Sequence, residues 1–284
     1  MKEFDFLEPK TIDEACAMLA KHKGRARPLA GGTDLLVQLK AGWLQVAALV
    51  NLKKIRGLDR IGFTRSGGLR VGALVTWTQL LESAPVATHY PLLREAAETL
   101  GSFQVRNVGT LAGNICHASP AANGSIPLLV YEAECVVRGP RGERNLPAEK
   151  AFVGVQRNGL RPGEILTEIR FPPPPPGAKG RYHKFSLRKA MDLGTVAVGT
   201  LVGTNNGAFD LVRIALAAVG PKPIRARKAE KTLLGKPTED RFIREAAKTA
   251  ASECSPITDI RGSKEYRLEL VKELTFRSIK GSLQ

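Results

Sequence analysis

Cysteine is scarce in this chain: 284 residues contain four, Cys16, Cys116, Cys135 and Cys254. None lies within metal-ligand spacing of another, which argues against a disulfide framework and against an iron-sulfur site carried by this chain. Cys16 falls on the apolar face of a helical stretch, as a buried thiol does. Cys116 stands beside a glycine-bearing loop and near whatever that loop binds, and neither has a catalytic base next to it in sequence. Long apolar runs are missing too, so no segment reads as a membrane span, and Met1-Lys2-Glu3-Phe4-Asp5 does not open a secretory signal. The expected location is cytoplasmic. Negative charge is in short supply: 43 Lys and Arg face 27 Asp and Glu, a formal net charge of +16. The excess is spread, with +6 over residues 1–177 and +10 over residues 178–284. Such a balance suits nucleic acid, an anionic cofactor or an acidic partner. The densest basic run, Lys222, Arg225, Arg227, Lys228 and Lys231, has no stacking aromatics interleaved, so nucleic acid is a weak second choice and the run reads as a solvated helix face.

What is present is enough chain for two domains with cores, at an ordinary 43% hydrophobic content. Two glycine-bearing stretches organise it. In the first, Leu29-Ala30-Gly31-Gly32-Thr33-Asp34-Leu35, a short apolar run stops at two glycines and Thr33 or Asp34 caps the amphipathic stretch that follows. Strand, tight turn and helix start in that order leave backbone N–H groups and a helix dipole facing an anion. A plain strand-to-helix turn shows the same residues. The second, Asn107-Val108 followed by Gly109-Thr110-Leu111-Ala112-Gly113-Asn114, sets hydroxyl and amide donors among glycines outside any helical or strand period. Together they read as two halves of one diphosphate cradle.

Around them the pattern predicts a helix over 11–23, capped by Thr11 and Glu14 and stopped at Gly24, and a buried strand over 46–52. A hairpin pairs 60–64 with 69–74, and an apolar-faced helix covers 90–100. A helix turn at 127–131, a second hairpin of 135–137 with 144–146, and a strand over 164–171 complete the first domain. Five prolines, Pro172 to Pro176, cannot join a sheet and mark a spacer. Strands are expected over 182–187, 195–204 and 209–219, the last two joined at Asn205-Asn206-Gly207. Helices over 225–234, 238–252 and 263–279 follow.

LAGGTDLL at 29–36, RNVGTLAGNICHASPAANGSIPLL at 106–129 and RGSKEYR at 261–267 resemble the flavin-binding medium subunits of molybdenum hydroxylases, the xanthine dehydrogenase and carbon monoxide dehydrogenase flavoprotein family. The resemblance covers almost the whole chain. It implies an α+β fold: a two-lobed FAD-binding domain of the vanillyl-alcohol-oxidase/PCMH type (1–172, lobes about 1–55 and 56–172), a Pro-rich linker (173–178), and a C-terminal domain (179–284) of a three-stranded antiparallel sheet with a helical cluster. It implies FAD contacts at Leu29, Ala30, Gly31, Gly32, Thr33, Asp34 and Leu35, and at Gly109, Thr110, Leu111, Ala112, Gly113 and Asn114. Leu100, Leu166 and Lys184 match positions lining the flavin ring, and Asn123 a further contact. Two residues depart from the family pattern: Ala112 stands where glycine is usual, and Asn123 where aspartate is usual.

The resemblance also implies partners: an iron-sulfur small subunit and a molybdopterin large subunit, in a heterotrimer or its dimer, with NAD or a quinone as final acceptor. Molybdopterin and the clusters belong to those partners, and neither a protein acid, base nor metal ligand is assigned here, since the flavin carries the redox chemistry. Two other readings stand beside this one. The chain could be a self-sufficient FAD oxidoreductase resembling the enolpyruvate reductase of cell-wall synthesis, or a basic nucleic-acid-binding protein.

Overall fold

The first lobe begins with β1 (Asp5–Leu7), α1 (Ile12–Lys21), β2 (Ala26–Leu29), α2 (Leu35–Lys40) and β3 (Ala48–Asn51). The computed structural model describes residues 2–284. Strand β3 lies between β1 and β2 and is parallel to both. Its four residues, Ala-Leu-Val-Asn, are all buried, the continuous apolar run that a central parallel strand requires. Thr11 caps α1 by accepting the Glu14 N–H at 3.1 Å, and the Glu14 carboxylate reaches back to the N–H of Lys10 at 2.7 Å. The reciprocal cap expected from the sequence is therefore present, displaced by one residue on its return arm.

The second lobe is a five-stranded antiparallel sheet with helices packed on it. Its elements are β4 (Ile61–Thr64), β5 (Gly68–Gly72), α3 (Trp77–Glu82), α4 (Ala84–His89), α5 (Pro91–Glu98), α6 (Phe103–Val108), α7 (Leu111–His117), α8 (Ser125–Val130), β6 (Glu134–Gly139), β7 (Gly142–Pro147), α9 (Ala148–Ala151), the small pair β8 (Phe152–Gly154) and β9 (Arg157–Asn158), and β10 (Ile165–Phe171). The sheet order is β4-β5-β10-β6-β7, so the last strand in sequence sits at the centre. Tyr90, Tyr131 and Phe171 form an aromatic knot beneath it, with Tyr90 and Tyr131 edge-on at 5.2 Å. The Tyr90 hydroxyl donates to the carbonyl of Pro172 at 3.0 Å, pinning the first residue of the proline run. Prolines have no N–H to extend the ladder, and the sheet ends at Phe171.

The C-terminal part contains β11 (Lys179–Phe185), β12 (Val196–Asn205), β13 (Ala208–Ala217), β14 (Ile224–Arg225), α10 (Arg227–Leu233), α11 (Asp240–Ser252) and α12 (Lys264–Ser282). Asn206 and Gly207 both adopt positive φ, +48° and +76°, the conformation of a two-residue hairpin whose twist matches its strands. The three expected strands are present, and the two-residue β14 adds a fourth. Both sheet faces are covered. Val196, Val198, Ile214 and Leu216 face the helices with Ile243 and Val271, whereas Ala197, Leu201, Ala215 and Ala217 belong to the core of the second lobe. The period-2 alternation of a strand thus divides one sheet between two cores. A Cβ on Gly199 would come within 2.2 Å of Ile126, so glycine there permits the close packing of the domains.

A polar cluster locks the same interface. Arg225, 3% exposed in its side chain, donates to the carbonyl of Leu129 at 3.0 Å and to Glu230 at 2.6 Å. Arg213 donates to the carbonyl of Val130 at 2.9 Å and pairs with Glu132. Two guanidinium groups therefore bond the last carbonyls of α8, beyond the reach of helical N–H groups; that of Leu129 also takes the N–H of Glu132 at 3.3 Å. Arg227 pairs with Glu149. Of the basic run expected to form a solvated face, Arg225 is consumed inside the fold and Arg227 is neutralised across it, because acidic partners far away in sequence fold against them. Arg225→Ala should cost about 3–5 kcal/mol by leaving the buried Glu230 carboxylate with only its 3.6 Å pairing to Arg227 and the N–H of Ile214, and the half-exposed Arg227→Ala at most about 1 kcal/mol. Urea unfolding checks both, and equal losses would contradict the buried lock.

Candidate functional site

The first glycine stretch leaves β2 at Leu29 and enters α2 at Leu35, the strand-turn-helix order read from the sequence. Gly32 has φ +77°, a left-handed conformation that glycine adopts without steric cost. Gly31 has a different reason to lack a side chain: a Cβ there would stand 2.0 Å from the carbonyl oxygen of Val108. Asp34 occupies the cap position of α2, yet its side chain makes no cap hydrogen bond. Among the described residues, the N–H groups of Gly32, Thr33 and Asp34 donate to nothing within the chain. Consecutive free donors of this kind form an anion-binding concavity.

The second stretch is not the irregular loop expected from its glycines. It is the junction of two short helices, α6 ending at Val108 and α7 starting at Leu111. Thr110 caps α7, its hydroxyl accepting the N–H of Gly113 at 2.9 Å. A Cβ on Gly113 would lie 2.9 Å from that hydroxyl, so the glycine makes room for the cap. Leu111 and Ala112 turn their side chains into the core, at 0% and 4% exposure. The Ala112 methyl therefore points into the core and not out of the cradle, which is why glycine is dispensable there. The Ala112 N–H, in the first turn of α7, makes no backbone hydrogen bond among the described residues.

The two stretches meet. Besides the Gly31–Val108 contact, a Cβ on Gly109 would sit 3.4 Å from the Thr33 hydroxyl. His117 Nε2, at the end of α7, is 3.8 Å from Asp34 Oδ1. His117 lay within the second motif but was not among the expected contacts; its spacing from Thr110, seven residues and about two helical turns, was the available signal. Trp77, buried, donates its backbone N–H to the carbonyl of Gly109 at 3.1 Å, and Thr78 donates its hydroxyl to Asn107 at 2.6 Å.

Asn114, Asn123, Leu100 and Lys184 form a second, hydrogen-bonded group around Thr99 and Gly124. Asn114 accepts the N–H of Gly124 at 3.0 Å, and Asn123 donates its amide to Ala96 O at 3.0 Å and to the Thr99 hydroxyl at 2.9 Å. An aspartate has no donor for the Ala96 carbonyl, so asparagine here fastens the 119–123 segment onto the end of α5. Lys184 donates its ammonium to Thr99 O at 3.1 Å and to Asp192 O at 2.9 Å; burial holds it below an ordinary lysine, with Asp192 pulling the other way. Leu100 is half-buried at this junction, and Arg106 donates to its carbonyl at 2.8 Å. Leu166 is buried in the core where β10 bulges between Leu166 and Glu168. Thr99 is the residue that sequence reasoning passed over. Its carbonyl and hydroxyl collect Lys184 and Asn123 from two directions.

Nothing in this group is an activated nucleophile. Burial pushes the Cys116 thiol up to about 12, so it stays protonated at neutral pH. Free backbone donors converging from two lobes suit a phosphate-bearing ligand instead. Gly31→Ala would force the lobes apart at Val108, and overpacking of this kind costs about 1–3 kcal/mol. Amide exchange at residues 105–110 should quicken in that variant. An exchange profile identical to wild type would refute the contact.

Known proteins are similar to this chain over almost its whole length. The family described as the FAD-binding domain in molybdopterin dehydrogenase matches residues 2–174, and the CO dehydrogenase flavoprotein C-terminal domain matches residues 181–281. The chain is 34% identical over 280 residues to the xanthine dehydrogenase FAD-binding subunit of Escherichia coli O157:H7, covering 97% of this chain and 96% of that one. It superposes with a TM-score of 0.96 on a chain of carbon monoxide dehydrogenase from Hydrogenophaga pseudoflava that lacks the Mo-pyranopterin moiety, at 32% identity and covering 99% and 98% of the two chains. A chain of quinoline 2-oxidoreductase from Pseudomonas putida 86 superposes with a TM-score of 0.93 at 29% identity, covering 99% and 98%.

Proposed function

The chain belongs to the family of FAD-binding medium subunits of the molybdenum hydroxylases, and from that premise we propose how it works. It is an FAD-binding oxidoreductase subunit. In the proposed complex it receives electrons from the iron-sulfur clusters of a small subunit, which drains a molybdopterin cofactor in a large subunit, and it hands them to an external acceptor such as NAD or a quinone. The assembly is a heterotrimer or its dimer, placed in the cytoplasm. No helix among the described residues is long and apolar enough to cross a membrane.

The observation that carries this reading is the pair of donor-bearing turns held together at Gly31 and Val108. FAD, when bound, supplies the electron-accepting and electron-donating chemistry. The chain's own residues bind and orient it. The free N–H groups of Gly32, Thr33, Asp34 and Ala112 would take the diphosphate, each charge-assisted bond contributing about 1.5–3 kcal/mol. Leu29, Ala30 and Leu35 shape the first wall, and Gly109, Thr110, Gly113 and Asn114 the second. Leu100, Leu166 and Lys184 would border the ring, with Asn123 holding the segment between. Residues 173–178 are taken as the joint between the two domains. The nucleic-acid alternative is disfavoured by the ion pairs that absorb Arg225 and Arg227.

Two anion-binding turns from separate lobes suit a dinucleotide better than a mononucleotide. The flavin extracted from fully loaded protein should therefore be FAD, and recovery of FMN alone would count against the reading.

The chain carries no cysteine cluster, so isolated it should bind FAD yet leave it oxidised when offered a heterocycle, an aldehyde or carbon monoxide. Coexpression with the iron-sulfur and molybdenum subunits should restore substrate-dependent bleaching of the flavin. Bleaching by the purified single chain would favour a self-sufficient oxidoreductase.

A further inference from the structure

We propose that Arg267 is a positioning residue for the flavin site, acting through backbone carbonyls on two sides of it without touching the cofactor. The inference rests on the FAD reading above. Arg267 projects from the first turn of α12 and is 3% exposed. One end of its guanidinium donates to Thr195 O at 2.6 Å and to Ala218 O at 3.3 Å, and the other to Asp259 at 2.5 Å. Asp259 is itself fixed by the N–H of Arg261 at 2.8 Å.

Each of those carbonyls belongs to a segment that ends at the site. Thr195 closes the 186–194 loop, its N–H donating to Phe185 O at 2.8 Å. That loop is tied to the second lobe by Lys184 of β11, whose ammonium donates to Asp192 O and to Thr99 O, and by the N–H of Met191 on Gly101 O. Ala218 holds an unusual left-handed conformation for a non-glycine residue, φ +62°, a conformation that persists only where the surroundings over-determine it. Its N–H donates to Pro120 O at 2.7 Å, and Pro120 lies between His117 and Asn123. Tyr266, the neighbour of Arg267, packs edge-on against Phe185 at 6.1 Å.

One buried cation thus sets the loop that leans on Thr99 and Gly101 and, through Ala218, the segment that carries Asn123. Arginine suits the task because its planar fork offers several donors in fixed directions, so two carbonyls and a carboxylate are satisfied together; a lysine ammonium is a single point on a flexible stem. The RGSKEYR segment, remote from both glycine turns in sequence, gains a role at the site in this way.

The test uses the full chain, with FAD as the probe, and compares R267M and R267K with R213M. The last removes hydrogen bonds between the same two domains, to Val130 O and Glu132, without touching 119–123 or 186–195. R267M should raise the FAD Kd roughly tenfold or more and change the visible circular dichroism of the bound flavin, with R267K intermediate. R213M should lower Tm comparably while leaving Kd and dichroism as in wild type. If R267M fails to fold, R267K carries the comparison. Wild-type Kd and dichroism in a folded Arg267 variant would overturn the proposal, as would an equal change in R213M. Should wild-type protein take up no FAD, the cofactor reading falls instead. Amide exchange at 121–123 and 188–195, quickened by R267M and not by R213M, then still decides the role of Arg267, and unchanged exchange there overturns it.

Discussion

The candidate site depends on how closely two backbones can approach at residue 31. A carbonyl from the end of α6 occupies the space where a Cβ would be, 2.0 Å from its ideal position. No other residue type can fill that position without moving one lobe. The contact brings the free N–H groups after Gly31 beside the first turn of α7, and so converts two ordinary turns into one concavity. A steric constraint between lobes, more than any side chain aimed at a ligand, builds the site.

The C-terminal sheet extends that constraint into the rest of the molecule. Its two faces serve two cores, and buried Arg225 and part-buried Arg213 end on main-chain carbonyls of the neighbouring domain at Leu129 and Val130. Burying such cations is costly unless their donors find acceptors, and here the acceptors are carbonyls at the end of α8, that of Leu129 also taking the N–H of Glu132 at 3.3 Å. The second domain is thereby tied to α8 of the first.

Periodicity made much of the fold legible. The capped helix after Thr11, the buried strand β3, the hairpin β4–β5 and the two-residue turn at Asn206-Gly207 follow from local rules of spacing and of glycine and asparagine conformation. The stretch 107–114 reads as a loop in sequence because its glycines suppress the helical signal, whereas the structure has the end of α6 and the start of α7 there. Helices α6 and α7 are six and seven residues long, too short to be stable by propensity; α7 exists because Leu111, Ala112 and Ile115 find a core, and α6, which buries no side chain, is held by its cap, the Ser102 hydroxyl accepting the N–H of Val105 at 3.3 Å. Helices α3 and α4 escaped notice for the same reason of length.

By itself, the sequence determined which residues carry the glycine turns, which segments are amphipathic, and that the chain has no metal ligands clustered along it; these depend on neighbours a few residues apart. It also showed that the two motifs resemble one family. Only the tertiary structure decided what each glycine is for, because a missing Cβ looks the same in sequence whether it admits a ligand, a cap hydroxyl or a carbonyl from another lobe. Likewise the charge on Arg225, Arg227 and Arg267 could be counted but not placed. Their acceptors, at Leu129 O, Glu149 and Thr195 O, lie 96, 78 and 72 residues away, and no local rule spans that distance.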